Sequence, residues 1–431
     1  MHRIATMVVL AGLTACGPSG IASSVGDVES ESQADDDSGD GDGDSGDGDG
    51  DSGDGDGDSG DGDGDSGDGE SGDGDGDGEP DLPPIECEPL IDGNVVLDEN
   101  STAADFAALE CVTQITGNLE ISHTEAVDLS FLSSLVSVGG TVEINGNDAL
   151  LDLAGLDALE HVGGPLFIYY NDGIESLAGL GSLHSMHGLL VKNNTSLVSV
   201  AGLSGDIHLH AFDESAADFV RIAINNNQEL KSLDGLADIT SLTVELPLRI
   251  EIEDNEQLGG DLFGLSGFVS DEQQLSLQVT NNALDSLAGL EALTIAMNIH
   301  LLGPHGDFTS LAGLDNLTIV TETLRIGDCI CVNGEVDSEC DTDFGLELLE
   351  SLDGLESLVE VGELIIWGNE SLADISGLAS LAHAGDVDIS SNPLLPAMAV
   401  TNLLAGIEVT GAAFNQGNGT GNDPICGFIP Q

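Results

Sequence analysis

Two adjacent stretches, INGNDALLDLAGLDALEHVGG at 144–164 and IYYNDGIESLAGLGSLHSMHG at 168–188, carry one pattern with an offset of 24 residues. In the first, Leu150, Leu153, Leu156, Leu159 and Val162 recur at every third position; in the second, Ile174, Leu177, Leu180, Leu183 and Met186 do the same. A helix face alternates steps of three and four, and a half-buried strand steps by two, so neither sustains a strict period of three. A chain coiled around a core does sustain it, with short 3₁₀-like or extended corners turning every third side chain inward. After the leucines, Leu166 and Ile168 alternate around Phe167, which predicts a short strand with one buried face. One repeat is therefore one coil: a strand, an Asn-bearing turn and a leucine-studded return.

The pattern runs through most of the chain. Inward strand pairs read Val95/Leu97, Leu119/Ile121, Val142/Ile144, Leu166/Ile168, Leu189/Val191, Ile222/Ile224, Ile250/Ile252 and Leu277/Val279, then Ile299/Leu301, Leu324/Ile326, Leu364/Ile366, Val387/Ile389 and Ile407/Val409. Undisturbed steps are 23 or 24 residues, and longer ones predict outward loops around 205–220 and 327–349. The expectation is about 13 stacked coils. Asn147, Asn171, Asn194, Asn227, Asn255, Asn282, Asn369 and Asn392 each follow the last inward strand residue by three. An Asn side chain both donates and accepts, so a stacked row of them can satisfy backbone groups that the corner leaves unpaired. The Gly of each LAGL suits a tight corner.

The composite I-x-x-N-x-x-L-x-x-L-x-G-L-x-x-L-x-x-V-x-G-x-L-x-I, over roughly residues 91–410, resembles the receptor L-domain repeat. That is the leucine-rich-repeat-like solenoid of growth-factor and insulin receptor ectodomains, with similar repeats in fungal cell-wall proteins and bacterial surface lipoproteins. The resemblance implies an all-β chain forming a right-handed, single-stranded β-helix. It implies no ligand, because the array is longer than one receptor module and lacks the Cys-rich modules between receptor modules. An ordinary leucine-rich repeat is the rival fold, but the returns show no clear 3.6 period.

Charge divides the chain in two. It holds 80 Asp plus Glu against 6 Lys plus Arg, which argues against nucleic acid or an anionic lipid surface as partner. Residues 27–81 carry 25 of the acids, built on the unit DSGDGDG from Asp44 and Asp51. Nothing there is apolar enough to offset chain entropy, so a disordered acidic tether is expected. Its carboxylates suit loose Ca²⁺ association and no other cofactor; an EF-hand's Glu at the twelfth loop position is missing. At the start, Arg3 and the apolar run IATMVVLAGL precede Leu13-Thr14-Ala15-Cys16. This resembles the bacterial lipobox. It implies a signal peptide over 1–15, a lipidated Cys16 opening a tether over 16–84, and a solenoid with capping segments over 85–431. With Gly17 after the Cys, the resemblance points to the outer membrane of a Gram-negative bacterium, exposed at the cell surface and held by the lipid anchor.

Six further cysteines, Cys87, Cys111, Cys329, Cys331, Cys340 and Cys426, suggest disulfides in an exported chain. Cys87 with Cys111 would staple the first coil. Cys329 or Cys331 would close the loop holding Cys340, and the remaining one would reach Cys426. Zinc at the C-x-C-x₈-C group is the alternative, without a nearby His. The pairs His184/His187 and His208/His210 read as solvent-exposed, so no metal site is assigned. GxSxG, P-loop and HExxH motifs are missing, which argues against an enzyme. A carbohydrate-active β-helix enzyme is the catalytic alternative, but five scattered basic residues suit acidic glycans poorly. Phe167, Tyr169, Tyr170 and Leu190 fall on neighbouring outward strand positions, with the lone Trp367 on a late coil. They form the candidate binding patch of a non-catalytic recognition or adhesion protein whose partner is a surface protein or glycan. The other reading is a structural envelope component that binds divalent cations.

Overall fold

In the computed structural model, every third residue of each return turns inward because the backbone closes i→i+3 bonds. The Leu156 N–H donates to the Leu153 carbonyl at 3.0 Å, and the Leu159 N–H to the Leu156 carbonyl at 2.9 Å. A 3₁₀-like pitch of three residues per turn then places all these leucines on one side, fully buried. The structure describes residues 88–211, 219–267, 274–303, 308–328, 330–331, 340–341 and 345–419. The predicted signal peptide and acidic tether, with Cys16, Cys87, Cys329 and Cys426, lie outside them.

The strand segments stack into a 15-stranded parallel sheet from Val95–Leu97 to the C-terminal coils, and the chain winds through about 12 turns. Register advances by one repeat per coil: Leu119 faces Val142, Ile144 faces Ile168, and Ile168 faces Val191. The inward pairs thus form continuous apolar columns, which is what the repeat pattern requires of a solenoid core. A second, narrower sheet of seven parallel strands runs beside the first. Most of its members are two residues long, such as Ser137–Val138, His161–Val162 and Ser185–Met186, and Val138, Val162 and Met186 point into the core.

The structure corrects the sequence reading at three places. Gly205–Leu209, predicted within an outward loop, is a strand of the narrower sheet, because Ile207 and Leu209 alternate into the core. Within the predicted loop 327–349, Ile330–Cys331 and Cys340–Asp341 form a separate antiparallel ladder in which Cys331 stands opposite Cys340. At the C-terminus, Ile407/Val409 does not continue the inward column of Val387/Ile389. A helix, Ala397–Gly406, intervenes and buries Val400 in the core. Glu408–Val409 then pairs with His383–Ala384, while Ala413–Phe414 takes the place beside Val387–Asp388.

The Asn row is a buried ladder. The Oδ1 of Asn171 accepts from the backbone N–H and the Nδ2 of Asn147 at 3.0 and 3.1 Å. Its own Nδ2 donates to the carbonyls of Ile144 and Tyr169 at 2.9 and 3.1 Å. The same bonds link Asn171 to Asn194, Asn194 to Asn227, Asn227 to Asn255, Asn255 to Asn282, and Asn369 to Asn392. Two rungs escaped the sequence reading: Thr124 at one end donates its backbone N–H and hydroxyl to the Asn147 Oδ1, and the Asn418 Oδ1 accepts the N–H of Asn392. Cys111 is disulfide-bonded.

Candidate recognition face

Alternation along each strand leaves one face of the wide sheet pointing outward, so its chemistry is set by every second strand residue. Stacking brings together residues one repeat apart. Glu143, Phe167, Leu190, Ala223, Glu251, Gln278, His300, Arg325 and Ile365 follow one another in register across it. Beside that row stand Tyr169 and Lys192, paired with each other, and then Asn225 and Glu253.

Four of the predicted patch residues meet here. Phe167 faces Leu190 across the ladder, and the rings of Phe167 and Tyr169 lie edge to face at 6.5 Å. Tyr169 and Tyr170 make a second edge-to-face pair at 5.7 Å. The Tyr169 hydroxyl donates to the Glu143 carboxylate. Burial, then this bond and the carboxylate's charge, push the phenol well above the ordinary tyrosine range. Tyr170 is 56% exposed. Trp367 is not part of the patch: its strand is seven steps along the sheet, on the order of 33 Å away at ordinary strand spacing. There it flanks Asp388, whose carboxyl is raised by burial against the hydrogen bond that the Ser390 hydroxyl donates to it.

The backbone under the patch is unusual. The residue before each ladder rung adopts the left-handed conformation, as at Gly146, Asn193, Asn226, Asp254, Asn281 and Gly368. Gly, Asn and Asp tolerate that region. Tyr170 sits in the same position with φ 56°, as do His123 at φ 54° and Ser391 at φ 60° before their own rungs. A bulky side chain there costs on the order of 1 kcal/mol or more.

The sequence reading treated the five basic residues of the folded region as scattered. The structure places Lys192, Arg221, Arg249 and Arg325 on this one face, each at an outward or strand-flanking position. Their phase next to Val191, Ile222, Ile250 and Ile326 was the signal that would have found them. Arg221 pairs with the nearly buried Glu251, and Arg249 lies 3.9 Å from the same carboxylate while its guanidinium covers the Phe219 ring at 4.3 Å. A shallow cleft beside them is lined by Arg249, Ser276, Gln278, Asn298 and His300. Burial, with the charges of Arg325 and Arg249, holds His300 below the usual imidazole range.

Glu253 sits in the same cluster. Burial, then the charges of Glu251 and Asp254, raise its carboxyl above the ordinary value, against Arg221 and Lys192. A raised carboxyl means the folded state holds its proton to higher pH than the unfolded chain, so ionisation costs stability as pH rises through that interval. Glu253→Gln should therefore be more stable than the parent at pH 7, with the difference vanishing below the unfolded carboxylate value of about 4.3. Urea midpoints at both pH values check this, and a difference that grows toward acid pH contradicts it.

The remaining histidines are placed unevenly. His184 is exposed, whereas His187 is buried, with Nδ1 2.8 Å from the His210 carbonyl, contrary to the expectation of exposure. His208 lies 3.4 Å from Glu245, and the His210 Nε2 stands 3.2 Å from the Val162 carbonyl.

Residues 86–151 match the family model Receptor L domain. No curated protein matches the chain.

Proposed function

We propose that this chain is a non-catalytic recognition protein that engages a surface protein or glycan through the outer face of its wide sheet. The observation that carries this is Tyr170, an exposed aromatic held in a left-handed backbone conformation that the two adjacent coils give to Gly146 and Asn193. Strain retained at an exposed site points to a use for the side chain there. With Phe167, Tyr169 and Leu190 beside it and Lys192 and Arg221 along the next coils, the site offers rigid aromatic area rimmed by charge. Interface anchors have this composition. The Receptor L domain match at 86–151 supports a binding role of the same general kind.

The rest of the reading concerns delivery. Cys16 carries the lipid, residues 16–84 hold the solenoid away from an outer membrane, and the cysteines of the export-exposed chain are oxidised, with Cys87 the partner of Cys111. Among the described residues, no helix is long and apolar enough to cross a membrane.

Two variants test the recognition face. Tyr170→Gly should raise the urea midpoint, by about 1 kcal/mol of stability. It should also weaken capture of the partner from solubilised envelope fractions about tenfold. The combined Phe167→Ala, Tyr169→Ala, Tyr170→Ala and Leu190→Ala variant should abolish capture while circular dichroism is unchanged. Full capture by that folded variant sinks the proposal.

A further inference from the structure

We propose that Glu160, His161 and His184 form a binding site for a transition-metal dication of the Zn²⁺ class. One ligand atom from each, a carboxylate oxygen and two ring nitrogens, all lie within 4.8 Å of one another. The residues come from adjacent coils and stand on hydrogen-bonded backbone. The strand His161–Val162 pairs in parallel with Ser185–Met186, and the His184 N–H donates to the Glu160 carbonyl at 3.1 Å. His161 stands on a strand, and Glu160 and His184 immediately precede the paired strands, so all three are tied to hydrogen-bonded backbone.

The second observation is the hydrogen bond of the His184 ring. Its Nδ1 lies 3.0 Å from the Ser182 carbonyl oxygen. A carbonyl only accepts, so Nδ1 is the donor here and, in the neutral ring, the lone pair is left on Nε2. Metal-ligating histidines are oriented by this kind of contact. Two imidazole nitrogens and one carboxylate match an open four-coordinate zinc site, whereas Ca²⁺ and Mg²⁺ favour shells of oxygen. All three side chains are exposed, leaving the fourth position to water. The rings of His161 and His184 already meet edge to face at 4.4 Å. On the next coil His208 is engaged by Glu245, so the set stops at three.

Zn²⁺ is titrated calorimetrically into the full chain with Ca²⁺ in excess, which occupies the carboxylates of the acidic segment. One site per chain should persist, and His161→Ala or His184→Ala should each weaken it at least about tenfold. His383→Ala, an exposed histidine beside Glu408 on a distant coil, should leave it unchanged. With Cu²⁺ as the probe, electron paramagnetic resonance should show coupling to two imidazole nitrogens in the parent and one in either variant. Equal Zn²⁺ affinity in the parent and the His184→Ala protein, or binding that Ca²⁺ displaces entirely, overturns the site.

Discussion

Asn171→Ala should lower the unfolding free energy by about 4 kcal/mol, although it deletes only a small polar group. The side chain is fully buried, and its amide both accepts from Asn147 and donates to two carbonyls. Alanine removes neither the Asn147 N–H nor the Ile144 carbonyl and takes away the amide that bonds them, while the Tyr169 carbonyl keeps the Gly146 N–H. Each such group costs about 1–3 kcal/mol, more than the net worth of the bond that satisfied it. Water entering the gap recovers part of this. Asn171→Asp is the sharper probe, because it keeps the shape and replaces the donating nitrogen by an oxygen facing those two carbonyls. At pH 7 it should be at least as damaging as alanine. A carboxyl so placed has a raised value in the folded state, so stability should recover as pH falls through it toward the unfolded value of about 3.9. Urea unfolding of both variants at pH 7 and pH 4 checks the pair. A loss under about 1 kcal/mol for alanine would mean that the ladder contributes little.

Gly179→Ala should be comparably severe, and Gly181→Ala, two residues away, nearly silent. Gly179 has φ 113°, a region closed to ordinary residues, and a Cβ there would lie 2.1 Å from the Leu153 carbonyl oxygen of the preceding coil. The obstruction is backbone, so relief requires the two coils to separate, breaking the stacking that buries their leucines. A loss of about 4 kcal/mol or more follows from the conformational penalty and the lost packing together. At Gly181 the nearest atom to an added Cβ is the Gly202 carbonyl oxygen at 3.8 Å, ordinary contact distance. Its variant should change stability by no more than about 0.5 kcal/mol. Thermal and urea unfolding of the two proteins side by side decide the matter. Equal midpoints would remove the case for a glycine-specific corner in LAGL.

Burial was legible in the primary structure and lateral neighbourhood was not. The strict period of three in Leu150, Leu153, Leu156 and Leu159 reports which side chains face inward, because that spacing follows from backbone geometry within one coil. The Asn positions were readable for a related reason: each corner leaves the same polar groups unpaired, so the same residue type recurs. Contacts between coils obey a different rule. They convert separations of 23 residues into neighbouring strands, and the conversion depends on how much chain each coil spends before returning. Asn171 and Asn194 are 23 apart but Asn194 and Asn227 are 33 apart, yet both pairs bond in the same way.

Three features therefore emerged only when the coils were stacked. One is the gathering of Lys192, Arg221, Arg249 and Arg325 on one face. Another is the meeting of His161 with His184, and the third is the narrow second sheet, whose two-residue strands carry too little alternation to be recognised. The C-terminal helix, Ala397–Gly406, is a separate case: it packs Val400 against the core beside the last described coils. A repeat specifies what each coil needs inside, since that is a property of one length of chain. What the outer surface presents is a property of several coils at once, and the register between them sets it.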